Sequence, residues 1–151
     1  MQYLNGFSAI LYNKPLISAV LAWLIAQLIK LTLALFSTKR IDFTKLVASG
    51  GMPSSHSATV CALATAIGEL QGYDSSMFGI ASIVALVIMY DASGVRRAAG
   101  KQAKVLNKIV KELENNELHF EERLKELLGH TPIEVFIGGL LGIFVTLFYL
   151  Y

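Results

Sequence analysis

Long uncharged runs separated by short polar breaks fill most of the chain, and several are long enough to cross a bilayer. Leu16 to Ile29 carries no charge, Lys30 follows, and Leu31 to Phe36 continues the run. That is the stretch of about 20 residues a bilayer core requires. Ser57 to Gly68 is shorter and rich in Ala and Thr, a composition that suits a helix buried among other helices. Ser75 to Tyr90 is uncharged and stops at Asp91, Ser93 and Gly94. Val135 to Tyr151 is again uncharged, with Gly138, Gly139 and Gly142 spaced for close helix contact and Tyr149 and Tyr151 at an interface. Four spans are predicted.

A different pattern fills Ala98 to Leu128. There Leu106, Ile109, Val110, Leu113, Phe120, Leu124, Leu127 and Leu128 recur near helical spacing among many Lys and Glu. The segment is read as amphipathic and extramembrane, one long helix or a hairpin turning at Asn115 and Asn116. Its apolar stripe is expected to cover the bundle; a lipid-surface role for Lys101, Lys104, Lys108 and Lys111 is the alternative. The predicted fold is all-α: a polytopic membrane helical bundle of about four transmembrane helices, one domain over 1–151 with an insert at about 98–128.

Composition agrees: of 151 residues, 54% are hydrophobic and only 16% charged, too apolar for an ordinary soluble domain of that length. The first residues lack a secretory-signal pattern, so the N-terminus is read as retained. Cys61 is the only cysteine, which excludes an intrachain disulfide and a thiolate metal cluster. A net charge of +2 leaves no nucleic-acid footprint. The distribution of charge is more informative. Lys39, Arg40, Lys45, Arg96, Arg97, Lys101, Lys104, Lys108, Lys111, Arg123 and Lys125, eleven of the 13 basic residues, fall in the two loops that four spans put on one side. The positive-inside rule makes that side cytoplasmic and both termini external. The expected location is the cell inner membrane or plasma membrane.

Candidate chemistry gathers at the same edge. In Ser49 to Ala58 a glycine pair, Gly50-Gly51, precedes Pro53-Ser54-Ser55-His56 at the start of an apolar helix. Glycine-turned amides and a helix N-terminus suit an anion. Ser54 can donate to a phosphate oxygen and His56 can exchange a proton near neutral pH. The bland alternative makes Ser54 or Ser55 a helix N-cap. Where the last span begins stands Gly129-His130-Thr131-Pro132-Ile133-Glu134. Glu134 can meet His130 across one helical turn and support an imidazolium, and Thr131 with Glu134 also spells a capping box. Lys30, Arg40, Arg96 and Arg97 can hold phosphoryl oxygens. Asp91 is expected to pair with Arg96 or Lys30, with divalent-metal ligation as the alternative.

These elements resemble the superfamily of type 2 phosphatidic acid phosphatases and vanadium haloperoxidases, specifically its divergent bacterial and plastid membrane branch. Pro53-Ser54-Ser55-His56 is similar to the Pro-Ser-Gly-His element, whose histidine is the general acid. His130-x-x-x-Glu134 is similar to His-x-x-x-Asp, whose histidine is the nucleophile. Lys30 with Arg40 resembles the opening Lys-x6-Arg-Pro element at longer spacing and without the proline. Arg97 stands for the arginine of the final element, separated here from His130 by Ala98 to Leu128. The resemblance extends to Tyr90 to Gly100.

It implies a phosphatase with catalytic His56, His130 and Glu134, and a phosphate site of Lys30, Arg40, Gly51, Ser54, Ser55, Arg96 and Arg97. It implies no cofactor. The expected partners are the bilayer and a lipid phosphate (polyprenyl phosphate, phosphatidate or phosphatidylglycerophosphate), and a homodimer through the glycine face of the last span is an option. Two rivals stand beside it: a magnesium-dependent phosphatase or phosphotransferase using Asp91 and Glu134, and a membrane protein that binds lipid phosphate without turnover.

Overall fold

The computed structural model describes residues 6–38, 51–114, 124 and 129–151. Six helices appear among them: α1 (Gly6–Leu11), α2 (Lys14–Thr38), α3 (Ser55–Gln71), α4 (Ser76–Ser93), α5 (Val95–Glu114) and α6 (Pro132–Leu150). Three helical stretches, Lys14–Phe36, Ser76–Lys111 and Pro132–Leu150, are long and apolar enough to cross a membrane. The second joins α4 to α5 through a single turn residue, Gly94.

Helix α3 is the centre of the bundle, in contact with α2, α4 and α6. Its 17 residues reach only about 26 Å at 1.5 Å per residue, short of a hydrocarbon core of about 30 Å. It is therefore surrounded by longer helices, and its small side chains let them come close. Ala58 and Ala62 meet Ala22 and Ala26 of α2. Against α6 the approach is backbone to backbone: a Cβ on Gly138 would strike the Ser54 carbonyl, and one on Gly142 the Ala58 carbonyl. Thr146 Oγ1 donates to the Ala62 carbonyl at 3.2 Å. These three contacts share one register, so α3 and α6 run parallel and begin at the same end.

The glycine face of α6 thus packs on α3 within the chain. Bulky residues point the other way: Trp23 and Leu24 on α2, Ile83 and Val87 on α4, Phe144 and Phe148 on α6 are exposed, as lipid-facing side chains are in a membrane bundle. At the far end Glu69 accepts hydrogen bonds from Tyr73 and from Tyr151, the latter at 2.6 Å, tying the end of α6 to the end of α3.

The amphipathic insert departs from expectation in two ways. Asn107 Nδ2 donates to the Leu124 carbonyl at 2.7 Å and Asn107 Oδ1 accepts from Leu124 N at 2.9 Å. In one continuous helix these residues would stand about 26 Å apart, so a single helix from Asn107 through Leu124 is excluded. Leu106 and Ile109 do not cover the bundle: they are 49% and 48% exposed, whereas Ala103 and Asn107 are buried.

Candidate active site

Two helix starts meet at one end of the bundle. Ser54 caps α3, its Oγ accepting from Ser57 N at 3.3 Å and Ser57 Oγ at 3.0 Å. Its own N–H donates to the Glu134 carbonyl at 3.0 Å, which binds the start of α3 to the start of α6. Ser54 is fully buried and serves as the cap that the bland reading offered. Ser55, also buried, is engaged as well: its Oγ accepts from Lys30 Nζ at 3.2 Å. Lys30 does not extend toward the interface but ends on α3, buried.

His130 sits in the short strap before α6. Its N–H donates to the Ala92 carbonyl at 2.8 Å. Gly129, at φ +84°, lies on the backbone of Arg96 and Arg97, where a Cβ would come within 2.7 Å of the Arg97 Cα. Only glycine combines that conformation with that approach. Arg97, 33 residues away in sequence, is thereby brought beside His130. The backbone of the Arg96–Arg97 pair thus lies against the strap that carries His130.

The His130 ring is buried, with Nδ1 3.3 Å from Glu134 Oε2. The same oxygen accepts from Thr131 N at 2.9 Å, and Thr131 Oγ1 accepts from Glu134 N at 3.3 Å. Glu134 therefore fills the capping box and the histidine partnership together. His130 Nε2 is buried and meets no partner in full hydrogen-bond geometry, although the Gly51 backbone lies close enough to the ring to raise its pKa. A proton on Nδ1 facing Glu134 leaves the lone pair on Nε2. Burial holds the ring's pKa below the usual histidine value, against the hydrogen bond to Glu134, which raises it; the Lys30 charge adds to the lowering. The ring is therefore neutral at neutral pH.

His56, in the first turn of α3 and exposed, faces it: the two ring centroids are 6.3 Å apart at an interplanar angle of 62°. Gly51 has φ +94° and open space where a Cβ would stand, which fits an exposed glycine turn. Arg96 Nε is 2.6 Å from Asp91 Oδ2, so Asp91 takes the ion pair and Arg96 is partly spent on it. Arg97 is exposed and forms no ion pair among the described residues. No group of three or more His, Cys, Asp and Glu that could hold a metal forms among the described residues. Arg40 and Gly50 lie outside them. The His130–Ala92 contact had no signal in the sequence, and the approach of Gly129 to Arg97 had only the glycine itself.

A family model described as the divergent PAP2 family matches residues 11–145. The chain belongs to the divergent PAP2 family. It is also 44% identical over 149 residues to the "Uncharacterized membrane protein YuiD" of Bacillus subtilis (strain 168), the match covering 91% of this chain and 94% of that one. No solved structure matches. The divergent PAP2 match and this relative make the protein an all-α membrane protein whose family resemblance spans the helix starts that carry His56 and His130.

Proposed function

We propose that this divergent PAP2 protein is a lipid-phosphate phosphatase working through a phosphohistidine on His130. The observation that carries the reading is the buried His130 Nε2, without a partner in full hydrogen-bond geometry, backed by Glu134 on Nδ1 and faced by His56 at 6.3 Å between ring centroids. A neutral imidazole so held is a ready nucleophile, and the carboxylate supports the positive charge that forms on attack.

In the first half-reaction His130 Nε2 bonds to phosphorus, the ester P–O bond breaks, and His56, in the protonated form that a bound phosphate dianion favours, gives its proton to the departing lipid alkoxide. In the second, neutral His56 takes a proton from water, the hydroxide bonds to phosphorus, and the P–N bond breaks to release phosphate. Amides at the start of α3, the Gly51 turn and Arg97 are the groups left to hold the phosphoryl oxygens, with the buried Lys30 charge behind them. Such a set neutralises the oxygens without a metal ion. The substrate is a lipid phosphomonoester, phosphatidate, phosphatidylglycerophosphate or a polyprenyl phosphate, drawn from the cytoplasmic leaflet of the inner or plasma membrane. The basic residues grouped in the two loops at this end support that sidedness.

The test is phosphate release from these lipids by detergent-purified protein, with a chelator and with magnesium, beside His130→Ala. Chelator-resistant release that needs His130 is expected. Release that needs magnesium and survives His130→Ala would overturn the mechanism, and binding without release would make the protein a lipid-phosphate-binding protein.

A further inference from the structure

Arg97, Lys101, Lys104, Lys108 and Lys111 follow one another along α5 in steps of four, three, four and three. That spacing stacks them on one helical face for about 21 Å. All five are exposed, and none forms an ion pair among the described residues. Beside this cationic stripe runs an apolar one: Val95, Val105, Leu106 and Ile109 are 61%, 60%, 49% and 48% exposed in the folded chain. Along their boundary Lys101, Gln102, Val105 and Leu106 line an open hollow of about 450 Å³. The buried residues of α5 are Gly100, Ala103 and Asn107.

The position of α5 completes the picture. It starts directly after Gly94, just past the end of the uncharged run at Tyr90 and Asp91, where a span with this charge pattern leaves the bilayer. Its first cation, Arg97, lies under Gly129 and next to His130.

We propose that α5 is an interfacial helix docked on the anionic phospholipid headgroups of the adjoining leaflet. Its apolar stripe enters the acyl boundary, and its cations hold a row of phosphates that ends at the His130 strap. Charge complementarity selects this occupant: a zwitterionic surface would satisfy the apolar stripe but give five aligned cations no net counter-charge. The docking is independent of turnover by His130.

The test uses full-length protein carrying Leu106→Cys on a Cys61→Ala background, labelled with an environment-sensitive fluorophore and reconstituted into vesicles. Vesicles of phosphatidylcholine alone are compared with vesicles also containing phosphatidylglycerol. Expected are a blue shift and shielding from aqueous iodide only with phosphatidylglycerol, reversed by salt. Replacing Lys101, Lys104, Lys108 and Lys111 with Gln should weaken the docked state about fivefold per charge. The salt series on the parent protein reads the same dependence if that variant fails to fold. A label equally wet in both vesicles would overturn the proposal. So would a label equally shielded in both, which would mean that another part of the protein or a second copy covers the stripe.

Discussion

Glu134→Gln separates the two tasks of one carboxylate. The amide oxygen can still accept from Thr131 N, now 2.9 Å from Oε2, so the start of α6 keeps its cap. A full cap loss costs about 1 kcal/mol, and the amide should lose less than that. The catalytic loss is larger. Opposite unit charges 3.3 Å apart, the Nδ1 to Oε2 distance, attract by about 5 kcal/mol at an effective dielectric of about 20. A neutral hydrogen bond returns about 1 kcal/mol of it, and partial exposure of Glu134 screens some of the rest. A net loss of about 3 kcal/mol corresponds to a fall in kcat of roughly 10²-fold. The assay is phosphate release from phosphatidate in detergent, with thermal unfolding of the same sample. Removing the carboxylate also removes the groups' raising influence on the His130 pKa, so the acid limb of the rate profile should move to lower pH. A variant with wild-type kcat, or one whose activity falls only as its Tm falls, would refute the reasoning.

Because burial keeps the His130 pKa below its unfolded value of about 6.5, its contribution to stability is fully present above pH 6.5. That contribution is lost as pH falls through the folded value, so the Tm should drop on acidification and drop less in His130→Gln; identical profiles would contradict this. Gly138→Ala should cost about 1–3 kcal/mol by forcing a Cβ against the Ser54 carbonyl, and an unchanged Tm would show that α3 and α6 are not so close. Asn107→Ala strips both bonds to the Leu124 backbone, and limited proteolysis of the insert should quicken markedly; no change would argue against this clasp. His56→Ala should lower turnover by about 10²–10⁴-fold, the usual worth of general acid–base help, which pre-steady-state phosphate release would measure.

Local patterns in the sequence carried the fold further than they carried the site. The His130–Glu134 spacing, the Thr131–Glu134 box and the short Ala-rich α3 are contained within one helix or one turn, where periodicity alone fixes neighbours. Partners across helices depend on register, which composition does not encode. Ser54 therefore read as a phosphate ligand with a cap as the alternative, and its contact with Ser57 shows the cap. Lys30 read as a phosphate ligand or an interfacial lysine, yet it ends on Ser55. The Gly138 and Gly142 face was legible as a close contact, but not that α3 would occupy it. The insert misled for a related reason. Its apolar stripe was expected to turn inward, whereas Leu106 and Ile109 are exposed and the buried residues are Gly100, Ala103 and Asn107. The nearness of Arg97 to His130 was hidden by the 32 residues between them and appears only through Gly129.

The most direct test of the central claim is to mix the purified protein with a lipid substrate carrying radiolabelled phosphate, quench within the first turnover under alkaline conditions, and map the label. A phosphoryl group that is stable to base, labile to acid and borne by the peptide containing His130 is the predicted result. Release of labelled phosphate with no label on any histidine at any time in that turnover would contradict it.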